Sequence, residues 1–516
     1  MLSRKQLCLF LVLYILIRVF SYFFSPETPL YAANPVNTIV SLAILLTTLY
    51  LLLTKNAWGW YIIALEIILG GAGGYLAVGP LSLRTTLLLA SILIFFGYKI
   101  KDHQLKNLLK ENKTTGVVFS LLYFAVFIAA LRGYFAGHNL RLIFSDAIPY
   151  LFLLYYFPLK ELLANNGKRD SSTPPTKSGS VGMTIGMTKK TGFIQIVTNT
   201  LYAAIIGNLL LLALTFIGFS SGLFALQDSY YHWYRDVALG KITELPFNFY
   251  RLVLNEHLIL VPIMLWLLHR VIARSDERAT KQSTGFQNQP GSVGKGIASL
   301  HFVSLAMTLV ILSLNLTRIY LLALAVGYLF LFSKTYWKRW LVHGILAGAI
   351  FIVSFTSIHL IASRGQSLGW ELFGLRLQSI ASPQIEDSSL SRLLLLPKIL
   401  DKIKAYPLLG TGLGDTVTVF SPVFKTDITT PHFDWGYLEI LAEMGIIGLI
   451  TWLLLIVYLF IILKKSQAPR WQYTSLGALL VINLTSPALF HVLGIILLTY
   501  LLSIHQCRDK TKLQSV

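Results

Sequence analysis

Apolar runs of bilayer length follow one another from residue 6 to residue 505, a pattern that leaves the chain few folds other than a bundle of membrane-crossing helices. Roughly 17 to 25 apolar residues cross a hydrocarbon core. Runs of that kind lie near 6–24, 36–54, 58–79, 84–99, 115–135, 142–158, 195–218, 256–273, 297–315, 317–333, 339–361, 436–463, 471–489 and 491–505. The expected fold is therefore all-α, a polytopic transmembrane bundle of about fourteen spans, with roughly 12–14 as the range. Composition agrees: 55% of the residues are hydrophobic and 13% charged, too apolar for a soluble domain of this length.

Lysine and arginine asymmetry orients the bundle, since positively charged short loops stay in the cytoplasm. With Arg4 and Lys5 inside, the inner loops collect Lys99 to Lys113, Lys160 to Lys190, Arg270 to Lys295, Lys334 to Arg339, Lys464 to Arg470 and Arg508 to Lys512. Both termini are then cytoplasmic. The formal charge of +20 falls in these turns and linkers, where topology and anionic membrane lipid account for it, so no nucleic-acid partner is expected. Arg18 interrupts the first apolar run and no small-residue cleavage site follows closely, which predicts an uncleaved first helix. The two cysteines, Cys8 and Cys507, supply neither a disulfide framework nor a metal cluster.

The chain divides into N-terminal helices (1–160), a polar cytoplasmic linker (161–194), helices flanking an aromatic outer loop (195–273, with the loop at 219–255), a second linker (274–296), further helices (297–361), a large outer loop (362–435) and C-terminal helices with a short tail (436–516). The linkers are rich in Ser, Gly, Pro, Thr and Lys and are expected to be disordered. Loops as long as 362–435 are functional or disordered. From Arg364 to Asp434 this one carries seven basic and seven acidic residues, and it shows structure signals. SLSRLLLLPKILDKIKAY (389–406) suits an amphipathic helix at the outer membrane surface, with Pro397 expected to break it or mark its first turn. PLLGTGLGD (407–415) has glycines at 410, 412 and 414, a spacing that fits a tight turn better than a nucleotide fingerprint.

The stretch TTPHFDWGYLEILAEMGIIGL (429–449) passes from a polar loop into a membrane helix and sets His432, Asp434, Glu439 and Glu443 at the helix mouth. Asp434 is positioned to cap that helix, and Glu439 and Glu443 suit the positive end of its dipole. Arg18, Glu66, Arg132 and Asp146 lie inside apolar runs and should face the bundle interior or an interface, because charge is costly in lipid. The aromatic segment YYHWYRD (230–236) fits sugar stacking and an interfacial belt equally well.

SRLLLLPKILDKIKAYPLLGTGLG, then a His-containing segment, then YLEILAEMGIIGL, resembles the hallmark region of the O-antigen ligase and O-antigen polymerase superfamily, with weaker echoes in LTRIYLLALAVGYLF (316–330) and LSLR (81–84). The resemblance implies a multi-spanning bacterial enzyme at the outer face of the inner membrane. Such an enzyme moves a glycan from an undecaprenyl diphosphate carrier to a sugar hydroxyl on an acceptor glycan or glycolipid, without metal or cofactor. Polysaccharide-assembly proteins are further candidate partners. By the same resemblance, Arg318 matches an outward-facing family arginine at a helix start and Arg251 matches a second one more loosely. His432 is the candidate for the family's histidine. Tyr437 lies five residues after His432, however, and an ungapped alignment puts Asp434 in the histidine's place. Arg364, Arg392 and Glu443 are the remaining candidates for carrier or glycan contacts.

The chemistry fits those residue types. A departing diphosphate needs its growing charge held, which a guanidinium fork does bidentately without deprotonating. The attacking hydroxyl must lose a proton, and a histidine near neutral pKa accepts it. No DxD motif occurs, so the divalent-metal route to the same end has no sequence support. Direct displacement inverts the anomeric carbon. A polysaccharide or lipid flippase is the alternative, and a cell-shape peptidoglycan glycosyltransferase of similar architecture a third reading; ligase and polymerase are not distinguished by these residues.

Overall fold

The structure is a computed structural model that describes residues 4–25, 34–168, 192–283, 292–381, 387–421, 426–431 and 433–513. Helices dominate it. The first half contains α1 (Arg4–Phe23), α2 (Pro35–Leu53), α3 (Trp58–Leu69), α4 (Leu83–Lys101), the short α5 (Leu105–Glu111), α6 (Lys113–Phe135), α7 (Leu140–Leu151), α8 (Tyr156–Lys168) and α9 (Phe193–Ser220). After the single turn α10 (Ser229–His232) come α11 (Leu260–Ser283), α12 (Ser292–Asn315), α13 (Arg318–Phe330) and α14 (Trp337–Ala362). The large loop carries α15 (Trp370–Ala381) and α16 (Asp387–Ala405), and the chain ends with α17 (Gly436–Lys465), α18 (Arg470–Ile482) and α19 (Val492–Leu513).

Among the described residues nine helices are long and apolar enough to cross a membrane, and four shorter ones (Trp58–Leu69, Leu300–Asn315, Arg318–Phe330 and Val492–Ile504) are also apolar. Together with α18 they coincide with the runs read from hydropathy. Large apolar side chains cover the outside of the bundle: Leu93 is 73% exposed, Phe124 64% and Ile361 73%. A surface of that kind belongs in lipid, and the chain is an all-α polytopic membrane protein.

Local chemistry sets several helix ends. Asn34 caps α2 through Val36 N–H, with Pro35 in the first turn; Ser82 caps α4 through Thr85 N–H, and Asn139 caps α7 through Arg141 N–H. The helix expected over 58–79 stops at Leu69, because the run Gly70-Gly71-Ala72-Gly73-Gly74 turns the chain, with Gly71 at φ 55° and Gly73 at φ 92°. Beyond it β1 (Ala77–Val78) and β2 (Leu81–Ser82) form a small antiparallel hairpin.

Contacts identify the two ends of the bundle. One is basic: Lys55 Nζ meets Asp102 at 3.3 Å, Lys99 meets Glu161 at 2.7 Å, and Arg470 donates to Phe332 O. The other carries the hairpin β3 (Lys241–Leu245) and β4 (Phe249–Val253), the hairpin β5 (Val417–Ser421) and β6 (Thr426–Thr430), and helices α15 and α16. The large loop is thus helical with a β-hairpin added. Pro397 does not break α16; it sits inside the helix at an exposed position, where its missing N–H removes the helical bond to the Leu393 carbonyl. On its opposite face α16 buries Leu395 and Ile399 against Val417, Phe433 and Ala442.

Charges inside the apolar runs find partners within the protein. Arg18 donates to Glu256 Oε1 at 3.0 Å and to Leu69 O at 2.8 Å, and Arg84 donates to Glu66 Oε2 at 3.0 Å and to Gly71 O at 2.9 Å. Arg132 lies over the ring of Tyr406 at 4.9 Å, and Asp146 accepts the Gly414 N–H at 2.9 Å.

Candidate functional site

The large loop is fixed to the bundle through backbone, and glycine makes this geometry available. Gly445, inside α17, has φ 65° and ψ −167°, a conformation essentially confined to glycine, and the helix is broken there. The segment Pro407–Leu413 lies across the break and takes up the freed groups. Ile446 N–H donates to Pro407 O at 2.9 Å, Ile447 N–H to Leu408 O at 3.3 Å, Thr411 N–H to Ala442 O at 2.7 Å, and Gly412 N–H to Glu443 O at 3.0 Å. On its other side Leu413 N–H donates to Ala129 O of α6 at 3.0 Å. A β-carbon on Gly412 would come within 2.2 Å of the Gly133 backbone, and one on Gly410 within 2.3 Å of Glu443. Irregular backbone of this kind is tolerated at membrane depth only when enclosed by protein.

The break surrounds Glu443 with acids. Glu443 is 2% exposed, its Oε1 is buried with no hydrogen-bond partner, and the carboxylates of Asp146, Glu439 and Asp415 are close enough to act on it electrostatically. Asp415 is held by Lys402 Nζ, at 2.8 and 2.7 Å from its two oxygens, and by Thr411 Oγ1 at 2.6 Å. His138 bonds Leu413 O through Nδ1 at 2.9 Å, leaving Nε2 3.9 Å from Asp415 Oδ1. Glu439, 4% exposed, accepts from Phe433 N–H at 3.4 Å.

Asp434 does not cap α17. Its φ of 57° turns the carboxylate away from the helix, the cap position falls to Trp435 without a side-chain bond, and Asp434 Oδ2 instead lies 3.7 Å from Arg392 Nε. Trp435 Nε1 donates to Arg392 O at 3.4 Å, so α16 and the start of α17 share this contact. His432 lies outside the described residues.

A second set of arginines gathers where α13 begins. Arg251 projects from β4, and its guanidinium donates through Nε to Asn315 O at 3.0 Å and through Nη2 to Thr317 Oγ1 at 3.2 Å. The next residue, Arg318, opens α13 and donates to Arg376 O of α15 at 3.4 Å. His257, fully enclosed, supports the same turn: its ring meets Asn315 Nδ2 at 2.5 Å and Asn208 Oδ1 at 3.3 Å. Arg364 stands apart, exposed at the end of α14 with φ 51°.

Of the residues singled out in sequence, the fold joins Arg251 to the start of α13 beside Arg318, and Arg392 to Asp434, while Glu443 sits under the loop at the break. Sequence reasoning missed Arg376, Lys402, Asp415 and His138. Arg132 and Asp146 did carry a signal, as charges placed in apolar runs.

Fold and site define the class: a multi-pass helical membrane protein whose polar, arginine-bearing groups gather at one end. Residues 303–453 match the family described as O-antigen ligase, which supports a member of the O-antigen ligase and polymerase superfamily and, in general terms, O-antigen ligase-type membrane glycosyltransferase activity. That segment holds Arg318, Arg364, Arg376, Arg392, Asp415, Asp434 and Glu443. No curated protein matches the chain.

Proposed function

We propose that this protein transfers a glycan from an undecaprenyl diphosphate carrier to a sugar hydroxyl of an acceptor glycan or glycolipid, at the outer face of the bacterial inner membrane. The observation that carries the reading is the chain of contacts Arg251–Thr317–Arg318–Arg376, drawn from β4, α13 and α15, within or beside the segment that matches the family. Arg318 and Arg251 hold the diphosphate, Arg392 beside Asp434 contacts the glycan, and Arg364, which stands apart, makes at most a peripheral glycan contact. The acceptor oxygen bonds the anomeric carbon as the bond to the phosphate oxygen breaks. The electron pair leaves with the diphosphate, and the hydroxyl proton goes to His432 or Asp434. Attack opposite the leaving group inverts the anomeric centre, and no metal or cofactor enters. Glu443, shielded under the loop, borders the acceptor side.

The enzyme's orientation in this reading has both termini and the basic end of the bundle in the cytoplasm, in line with the positive-inside rule. A flippase draws support from one feature, the broken helix α17, since carriers use discontinuous helices. Reconstitution with an undecaprenyl diphosphate glycan and candidate acceptors separates the two. Product formation that Arg318→Ala abolishes, and that a chelator leaves intact, supports the transferase. Movement of the lipid across vesicles without any product supports the flippase.

A further inference from the structure

A cavity of about 390 Å³ lies between α3, α8, α9, α11, α18 and α19, and runs from Ile259 near the start of α11 to Arg270 further along the same helix. Its walls are almost wholly apolar, built from residues such as Ile67, Val197, Ile263 and Leu497. Arg270, Trp471 and Gln472 line it toward the basic end of the bundle, Arg270 exposed, Trp471 half-buried and Gln472 buried. We propose that this cavity holds an acyl chain of an anionic phospholipid, with the phosphate at Arg270.

Three features identify the occupant. Water is a poor filling for an apolar space, and an unfilled space of this size forfeits the dispersion contacts of its lining. A hydrocarbon chain from the surrounding bilayer satisfies both conditions. On the same helix as Val197, Ile194 is 47% exposed and also lines the cavity, so one wall opens toward lipid. Arg270 is exposed and its guanidinium lies 6.0 Å from the Trp266 ring, which presents a planar cation beside an aromatic at the basic end of the bundle. Basic pockets between helices on the lysine- and arginine-rich side of a bundle bind anionic headgroups.

The undecaprenyl carrier is a different lipid with its charge at the other end. Arg470, which precedes Trp471, bonds Phe332 just past the end of α13, and α13 runs 13 residues back to Arg318, about 20 Å away. The lipid site therefore stands or falls independently of the proposed transfer.

The test is native mass spectrometry of the full chain in mild detergent, titrated with phosphatidylglycerol and, separately, with phosphatidylcholine. Wild type is expected to retain phosphatidylglycerol through delipidation and to prefer it over phosphatidylcholine by about tenfold. Val197→Trp, which fills the cavity, is expected to lose most of both lipids. Arg270→Gln is expected to keep binding while the headgroup preference disappears. Should Val197→Trp fail to fold, Leu497→Trp fills the cavity from the opposite wall, and the exposed Arg270→Gln substitution decides the headgroup claim alone. Equal retention by wild type and the filled variants, no headgroup preference in wild type, or recovery of an undecaprenyl lipid in place of phospholipid each overturns the proposal.

Discussion

Replacing Gly445 by alanine attacks the junction of loop and membrane helix at one atom. The new β-carbon would lie 2.3 Å from Leu408 O and 2.4 Å from Leu408 C, contacts with backbone that no rotamer change relieves. The residue would also have to hold φ 65° and ψ −167°, a strain of about 1–3 kcal/mol. Moving Pro407 and Leu408 aside forfeits the bonds from Ile446 and Ile447, each worth about 0.5–1.5 kcal/mol. The variant should lose roughly 2–6 kcal/mol, less about 1 kcal/mol if α17 straightens and gains alanine's helix propensity. Gly477→Ala is the control: a β-carbon there meets nothing within 4 Å inside α18, and the change should stabilise by about 0.5–1 kcal/mol. Thermal unfolding of detergent-purified protein, followed by tryptophan fluorescence, reads both. A Gly445→Ala melting midpoint equal to wild type would refute the claim that the loop is seated on the break.

Arg18→Met alone should cost about 3–5 kcal/mol by leaving Glu256 buried and uncompensated, and Arg18→Met with Glu256→Leu should recover most of it in the same melting assay. In reconstituted transfer, Arg318→Ala should abolish product, whereas Arg364→Ala, altering an exposed side chain at the end of α14, should cost at most a few-fold; equal losses would remove the distinction between them. Asp415→Asn should weaken the grip of Lys402 and Thr411 on the loop and lower the melting midpoint by the equivalent of about 1–3 kcal/mol. Pro397→Ala should raise stability, since it restores a helix hydrogen bond without disturbing the packed face of α16; a fall would mean that the proline shapes the helix.

The bundle was legible because hydropathy reports directly on contact with lipid, and helix positions follow it closely. Arg18, Glu66, Arg132 and Asp146 were legible for the same reason: a charge in an apolar run must find protein. Their partners were not. Glu256 lies 238 positions from Arg18, and only packing brings the two together. Arg376 is equally invisible, a loop arginine that acquires a neighbour when α15 folds back onto the start of α13. Asp434 looked like a cap because it precedes the helix, but a left-handed backbone at that residue sends its carboxylate to Arg392. Gly445 resembles any glycine of a membrane helix; what marks it is the loop lodged against it.

The seam between loop and bundle is written in amide groups, and this leaves the neighbouring side chains uncommitted. Leu408 and Leu409 hold their places by main-chain carbonyls or by closeness to Gly445, while their side chains remain 63% and 36% exposed. Such a fastening tolerates rewording of the text around it. Descendants of this chain can retailor what the loop touches without loosening the rivet that keeps it in register with the membrane.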